Sequence, residues 1–130
     1  MRSFNILLTL FTVAIFAVSI AAAAGHGYNW PATFFPDLVP LDWRSQFNTD
    51  LLLHLVLLGV WISWREGFTG RGHVFGVMSV VWGGMFTFPY LLWAGFAAGG
   101  DPVGLALGVH VARRPARPRG MNPGSPQEGD

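Results

Sequence analysis

The run from Asp50 to Trp64 constrains this chain more than any other feature. It is apolar over a membrane-like length, it carries one ionisable side chain inside it (His54), and it stops at Arg65-Glu66-Gly67. A helix needs about 20 predominantly apolar residues to cross a bilayer core, so this run reads as a slightly short span from about 49 to 65. Asn48 or Thr49 is expected to cap it, with Asp50 at the positive end of the helix dipole. Trp61 and Trp64 mark the opposite interface, where amphipathic rings settle at headgroup depth.

Two further segments have span character. Phe4 to Ala24 is long enough to cross. Arg2 and the small residues Ala22-Ala23-Ala24 also fit a cleaved signal peptide. Length favours a retained span, as does a polar-small row at Asn5, Thr9, Thr12, Phe16, Ser19 and Ala23, because such rows suit helix packing in lipid. The third expected span runs from 73 to 97. Gly76, Ser79, Gly83, Thr87 and Tyr90 recur there at intervals of three and four, which predicts a helix-packing seam on one face. Pro89 has no N–H for the Met85 carbonyl and is expected to kink that helix near its end.

Composition agrees with lipid as the solvent. The chain is 52% hydrophobic and 12% charged, against about a quarter charged in soluble domains; its mean hydropathy is +0.42. A net charge of +1 argues against a nucleic-acid partner, and the absence of cysteine excludes disulfides and thiolate chemistry. All eight basic residues are Arg. Between the first two spans, 25–48 combines Tyr28, Trp30, Trp43 and Phe47 with Pro31, Pro36 and Pro40. It reads as an aromatic loop on the membrane interface, with a helical turn near 42–47.

The expected architecture is therefore an all-α integral membrane helical bundle. Residues 1–98 form three transmembrane helices, and 99–130 form a short apolar segment followed by a disordered Arg/Pro-rich tail. The expected location is the inner membrane, multi-pass. The Arg bias, counted near the spans at Arg2, Arg65 and Arg71 against Arg44, puts the N-terminus inside and, with three spans, the tail outside.

Asp50, His54, Trp61 and Arg65 fall at helical offsets of 0, 4, 11 and 15, a single stripe. An Asp carboxylate one turn from a His can accept the imidazole N–H and fix its tautomer. The other nitrogen would then be available to a haem, a pigment or a relayed proton, and an ionisable group in a span is a functional hypothesis by default. Yet His54 lies only about 6 Å deeper than the interfacial Asp50, at 1.5 Å rise per residue. That depth lets a neutral His reach the headgroups, and this structural reading is preferred. His26, His73 and His110 share no metal-ligand spacing with it, so no metal and no cofactor is expected. Arg65-Glu66 reads as a solvated or headgroup-facing pair. Gly67, Gly70 and Gly72 form a turn without the context of a phosphate loop. No catalytic set emerges, so an enzyme acting on a lipid ranks last.

The block from Phe47 to Trp93 resembles small bacterial membrane proteins of the domain of unknown function 2834 family. The resemblance rests on Phe47-Asn48-Thr49-Asp50, Trp61-x-x-x-Arg65-Glu66-Gly67 and Gly83-x-x-Phe86-x-x-Pro89-Tyr90-Leu91-Leu92, and it extends over 29–107. It implies a compact multi-span bundle and no established activity. The segment around His54 is also similar to the pigment-ligating helix of bacterial light-harvesting polypeptides, which are single-span chains. The leading functional expectation is an accessory, assembly or oligomeric protein. Its seam would pack against another membrane protein or against itself, with the lipid bilayer as its other partner. The alternative is a haem-, pigment- or proton-coupled solute-binding protein centred on His54 and Asp50.

Overall fold

The computed structural model describes residues 2–113 of the 130, and the tail expected to be disordered lies outside the described residues from 114 onward. Among the described residues the chain is helical throughout, without strands. Helix α1 spans Arg2–His26, and Gly27, at φ +77°, ends it. The interfacial loop holds a five-residue helix α2 (Trp30–Phe34) and a 3-10 turn at Pro36–Leu38.

Helix α3 runs from Trp43 to Arg65, six residues earlier at its start than the sequence suggests. The cause is a capping box. Asp42 Oδ1 accepts from the Arg44 and Ser45 amides at 2.9 and 3.0 Å, and Ser45 Oγ accepts from the Asp42 amide at 3.2 Å. Asn48 and Thr49 are therefore mid-helix residues rather than caps, and Asp50 lies two turns inside. The helical turn expected at 42–47 is simply the beginning of α3. An Asp37–Arg44 pair at 3.1 Å ties the loop to it.

The expected third span is not one helix. It is α4 (Gly70–Trp82) and α5 (Gly84–Ala97), joined at Gly83 with φ 53°, ψ −131°, a backbone conformation that side chains with a Cβ avoid. The chain reverses there. The Phe75 ring lies 5.7 Å from that of Tyr90, and the Arg71 guanidinium lies 5.0 Å from the Trp93 ring. In a continuous helix residues 15 apart would be separated by about 22 Å. Pro89 sits inside α5 without ending it; the break belongs to Gly83. At 13 and 14 residues, each arm is about 20 Å long, shorter than a bilayer core of about 30 Å. Two helices are long and apolar enough to cross a membrane, Arg2–His26 and Trp43–Arg65.

The hairpin lies between these two long helices. α5 packs antiparallel on α1, with Phe11 against Phe88 at 5.5 Å and Asn5 beside Gly95. The face α1 turns inward carries Asn5, Leu8, Thr12, Ile15, Ser19 and Ala23; Thr9 and Phe16 of the expected row stay exposed. α4 packs antiparallel on α3, and its tip reaches only as far as Leu55. The chain then closes with α6 (Pro102–Leu107), capped by Asp101, and a 3-10 turn at Gly108–Arg113. The Leu105 carbonyl accepts from Arg65 Nε at 2.7 Å. This places α6 at the end of the bundle that holds the N-terminus of α1 and the C-terminus of α3. The reversal at Gly83 thus returns the chain to the end of the bundle where α1 begins.

Polarity is distributed inside out. Among the described residues the buried set holds five apolar residues and five polar or charged ones (Ser45, Ser63, Arg65, Ser79 and Thr87), while Leu10, Val18, Ile20, Leu53, Leu57 and Val60 are exposed. Water would penalise so large an exposed apolar surface.

Candidate functional site

Three arrangements carry the polar chemistry. The first is the α3–α4 crossing. Gly59 and Gly76 bring the two backbones into contact: a Cβ on residue 59 would lie 2.8 Å from the Gly76 carbonyl oxygen, and one on residue 76 would lie 2.6 Å from the Gly59 oxygen and collide with Ser63 Oγ. Ser63 Oγ lies 2.9 Å from the Gly59 carbonyl and 3.2 Å from that of Gly72, and Ser79 Oγ donates to Gly76 at 2.7 Å. Polar side chains thus satisfy themselves on helix carbonyls inside the contact.

The expected seam is divided by the hairpin. Gly76 and Ser79 face α3, Gly83 is the turn, and Thr87 and Tyr90 belong to α5. These residues serve contacts within the chain, with Ser79 fully buried and Thr87 3% exposed. The other half of the crossing, Gly59-x-x-x-Ser63 on α3 with Gly72 one turn before Gly76 on α4, escaped the sequence reading. Its four-residue spacing of small residues was the available signal.

The second arrangement is a charged network where α3, α5 and α6 meet. Arg65 Nη1 donates to Glu66 Oε1 at 2.6 Å and to Tyr90 Oη at 2.9 Å, and the Tyr90 hydroxyl donates to the same carboxylate oxygen at 2.8 Å. Arg71 reaches Glu66 Oε2 at 3.6 Å. The Arg65 and Glu66 side chains are 7% and 11% exposed. They are therefore not the solvated pair the sequence suggests. α6 covers them, and Gly108 allows this by packing against the Arg65 backbone and Cγ, where a Cβ would sit 2.5 Å from the carbonyl oxygen. Nothing local in the sequence announces Tyr90 as their partner, because 24 residues and a chain reversal intervene. His110 completes the closure, stacking on Trp64 at 4.4 Å with Nε2 2.7 Å from the Trp64 carbonyl.

The third arrangement is Asp50 and His54. Their side chains are 59% and 70% exposed, and the carboxylate lies 3.6 Å from Nδ1. The closer acceptor is the Asp50 main-chain carbonyl, 2.8 Å from Nδ1. A donated Nδ1–H fixes the tautomer that leaves Nε2 as an acceptor. The carbonyl, rather than the expected carboxylate, makes that bond. The stripe also splits along its length. Arg65 lies under α5 and α6, Trp61 is half-buried, and Asp50 and His54 rise past Leu55, where the hairpin ends. Among the described residues no three His, Asp or Glu side chains gather as a metal site. His73 bonds the Thr69 carbonyl at 2.8 Å, at the opposite end of the α3–α4 contact from this pair. No family model, no curated protein and no solved structure matches the chain.

Proposed function

We propose that this chain is an integral protein of the bacterial inner membrane. α1 and α3 cross the bilayer, the α4–α5 hairpin enters and leaves from one side, and the protein works as an accessory or assembly partner of another membrane protein. The inside-out polarity carries the membrane reading, because lipid tolerates an exposed apolar surface and penalises unpaired polar groups. Arg2, Arg65 and Arg71 then share one end against Arg44 at the other, so the N-terminal end faces the cytoplasm. Membership of the domain of unknown function 2834 family would imply a compact multi-span bundle and no established activity.

The docking face is the outer surface of α3 around Asp50 and His54. The small-residue seam is consumed within the chain, whereas these two ionisable side chains stand uncovered beside Leu53 and Leu57. Ionisable groups in spans almost always face protein or water rather than lipid. A partner helix supplying a hydrogen-bond donor to Asp50 and using Nε2 of His54 would cover them.

Two measurements test the proposal. Reporter tags at the N-terminus and after residue 113 are expected on the same side of the membrane; tags on opposite sides would replace the hairpin with a third span. The chain has no native cysteine, so a single cysteine at Leu57 gives clean crosslinking in native membranes. A defined adduct that weakens in an Asp50→Ala, His54→Ala variant is expected. An adduct pattern indifferent to those substitutions sinks the docking face.

A further inference from the structure

We propose that the chamber between the hairpin tip and the interfacial loop holds one acyl chain of a glycerophospholipid, drawn from the leaflet at the Trp30 end of the bundle. Small side chains at Ser19, Ala22 and Ala23 make its α1 wall, Trp82 and Met85 its floor, and Tyr28 and Trp30 its outer rim. The inference rests on the membrane reading above and goes beyond it. None of the lining residues belongs to α3, so the Asp50–His54 face is not involved.

The observation that carries it is the size and depth of this space, which measures about 530 Å3. The Asn5–Gly95 and Phe11–Phe88 neighbours set the antiparallel register of α1 against α5. That register brings the tip at Gly84 level with about residue 15, and from there to His26 α1 rises about 16 Å, at 1.5 Å per residue. A bilayer core is about 30 Å thick, so the chamber is one leaflet deep and ends where the short hairpin stops. Its volume spread over about 16 Å gives a mean section of about 33 Å2. A helix is at least about 10 Å across and needs about 80 Å2, so a partner helix does not fit. A polymethylene chain, one carbon wide, does.

The lining selects the same occupant. No charged side chain contributes to it, so an ion or a charged headgroup would find no partner at the floor. Apolar cavities stay dry, and an empty one forfeits contacts along every wall. Hydrocarbon is what remains. The rim decides which hydrocarbon. Tyr28 and Trp30 are 89% and 49% exposed, and they offer an O–H and an N–H donor at the depth where amphipathic rings settle. The ester carbonyls of a glycerolipid lie at that depth and can accept from them, whereas a polyisoprenoid alcohol carries no carbonyl.

The test uses the full chain purified in detergent and offered palmitoyl-oleoyl phosphatidylglycerol, with retention read by native mass spectrometry. One lipid per chain is expected as a discrete species. Ala23→Trp fills the chamber and should cut that retention at least about tenfold, since the loss of two buried methylenes suffices for such a change. Ala21→Trp is the control: it adds the same ring at the same depth on an exposed position that does not line the chamber, and retention should match the parent. If Ala23→Trp loses helicity, Ala22→Trp on the same wall takes its place. Equal retention by the filled and control variants, or a spread of lipid numbers without a one-lipid species, would overturn the site. Displacement by an equimolar polyisoprenoid alcohol would overturn a glycerolipid as its occupant. Alkaline extraction of native membranes separates the two readings: release of the chain defeats membrane integration itself, whereas an unreleased chain with no one-lipid species defeats only this site.

Discussion

Replacing Gly76 with leucine is expected to separate α3 from α4 and to cost the fold about 3 kcal/mol or more, the upper range for overpacking. The reason is backbone contact rather than side-chain crowding. A Cβ at this position already lies 2.6 Å from the Gly59 carbonyl oxygen and collides with Ser63 Oγ, so neither neighbour can yield by rotating a flexible side chain without losing a hydrogen bond. Alanine should therefore destabilise as well, by less. Gly70→Ala is the control, because a Cβ there meets nothing within 4 Å. Chemical unfolding in detergent micelles, followed by helicity, reads the ranking: Gly76→Leu worst, Gly76→Ala intermediate, Gly70→Ala close to the parent. A Gly76→Leu protein as stable as the parent would mean that α3 and α4 do not touch at these glycines. Gly83→Leu is limited in a different way. At φ 53° and with only Leu55 side-chain atoms 3.9 Å away, residue 83 is limited by backbone conformation rather than by space. Its substitution probes the hairpin turn, not an oligomer contact.

Truncating Arg65 to alanine should cost about 3–5 kcal/mol, the range for removing one partner of a buried ion pair. Glu66 would keep Tyr90 at 2.8 Å and a distant Arg71 at 3.6 Å, and the Leu105 carbonyl would lose its donor. The damage should be local first. Amide exchange over 102–107 is expected to accelerate before the α3–α4 crossing opens, because Arg65 is the polar tie that holds α6 down. Tyr90→Phe removes a hydroxyl and leaves the pair intact, so about 1–3 kcal/mol is expected. A double variant, Arg65→Met with Glu66→Leu, should recover much of the loss, since apolar replacements of a buried pair are often neutral. If Arg65→Ala and Glu66→Ala instead add independently, the two residues are not coupled.

How much of this was legible in the sequence differs from element to element. The two long apolar helices follow from hydropathy, because runs of this length and composition are those able to cross a bilayer core as helices. Most of the inward face of α1 was also visible, since Asn5, Thr12, Ser19 and Ala23 recur at packing intervals. The start of α3 was misplaced because Asn48-Thr49-Asp50 offered an apparent cap, while the Asp42–Ser45 box lay in a stretch read as loop. The third span was misread because hydropathy does not distinguish a continuous 25-residue helix from two short arms. Pro89 looked like the breaker, and Gly83, one of several glycines in a seam, was the residue that turned.

What the sequence determined by itself is a helical chain, its apolar surface, and the small residues that let its backbones approach. What only the tertiary structure decided is which of these meet. The reversal at Gly83 sends Gly76 and Ser79 to α3, brings Tyr90 down to Arg65 and Glu66, and returns α6 to the end where the chain began. The physical reason is that helix propensity and hydropathy are local quantities. The pairing of Arg65 with Tyr90, and the exposure of Asp50 and His54 above Leu55, depend on one left-handed glycine and on how far a 13-residue arm can reach.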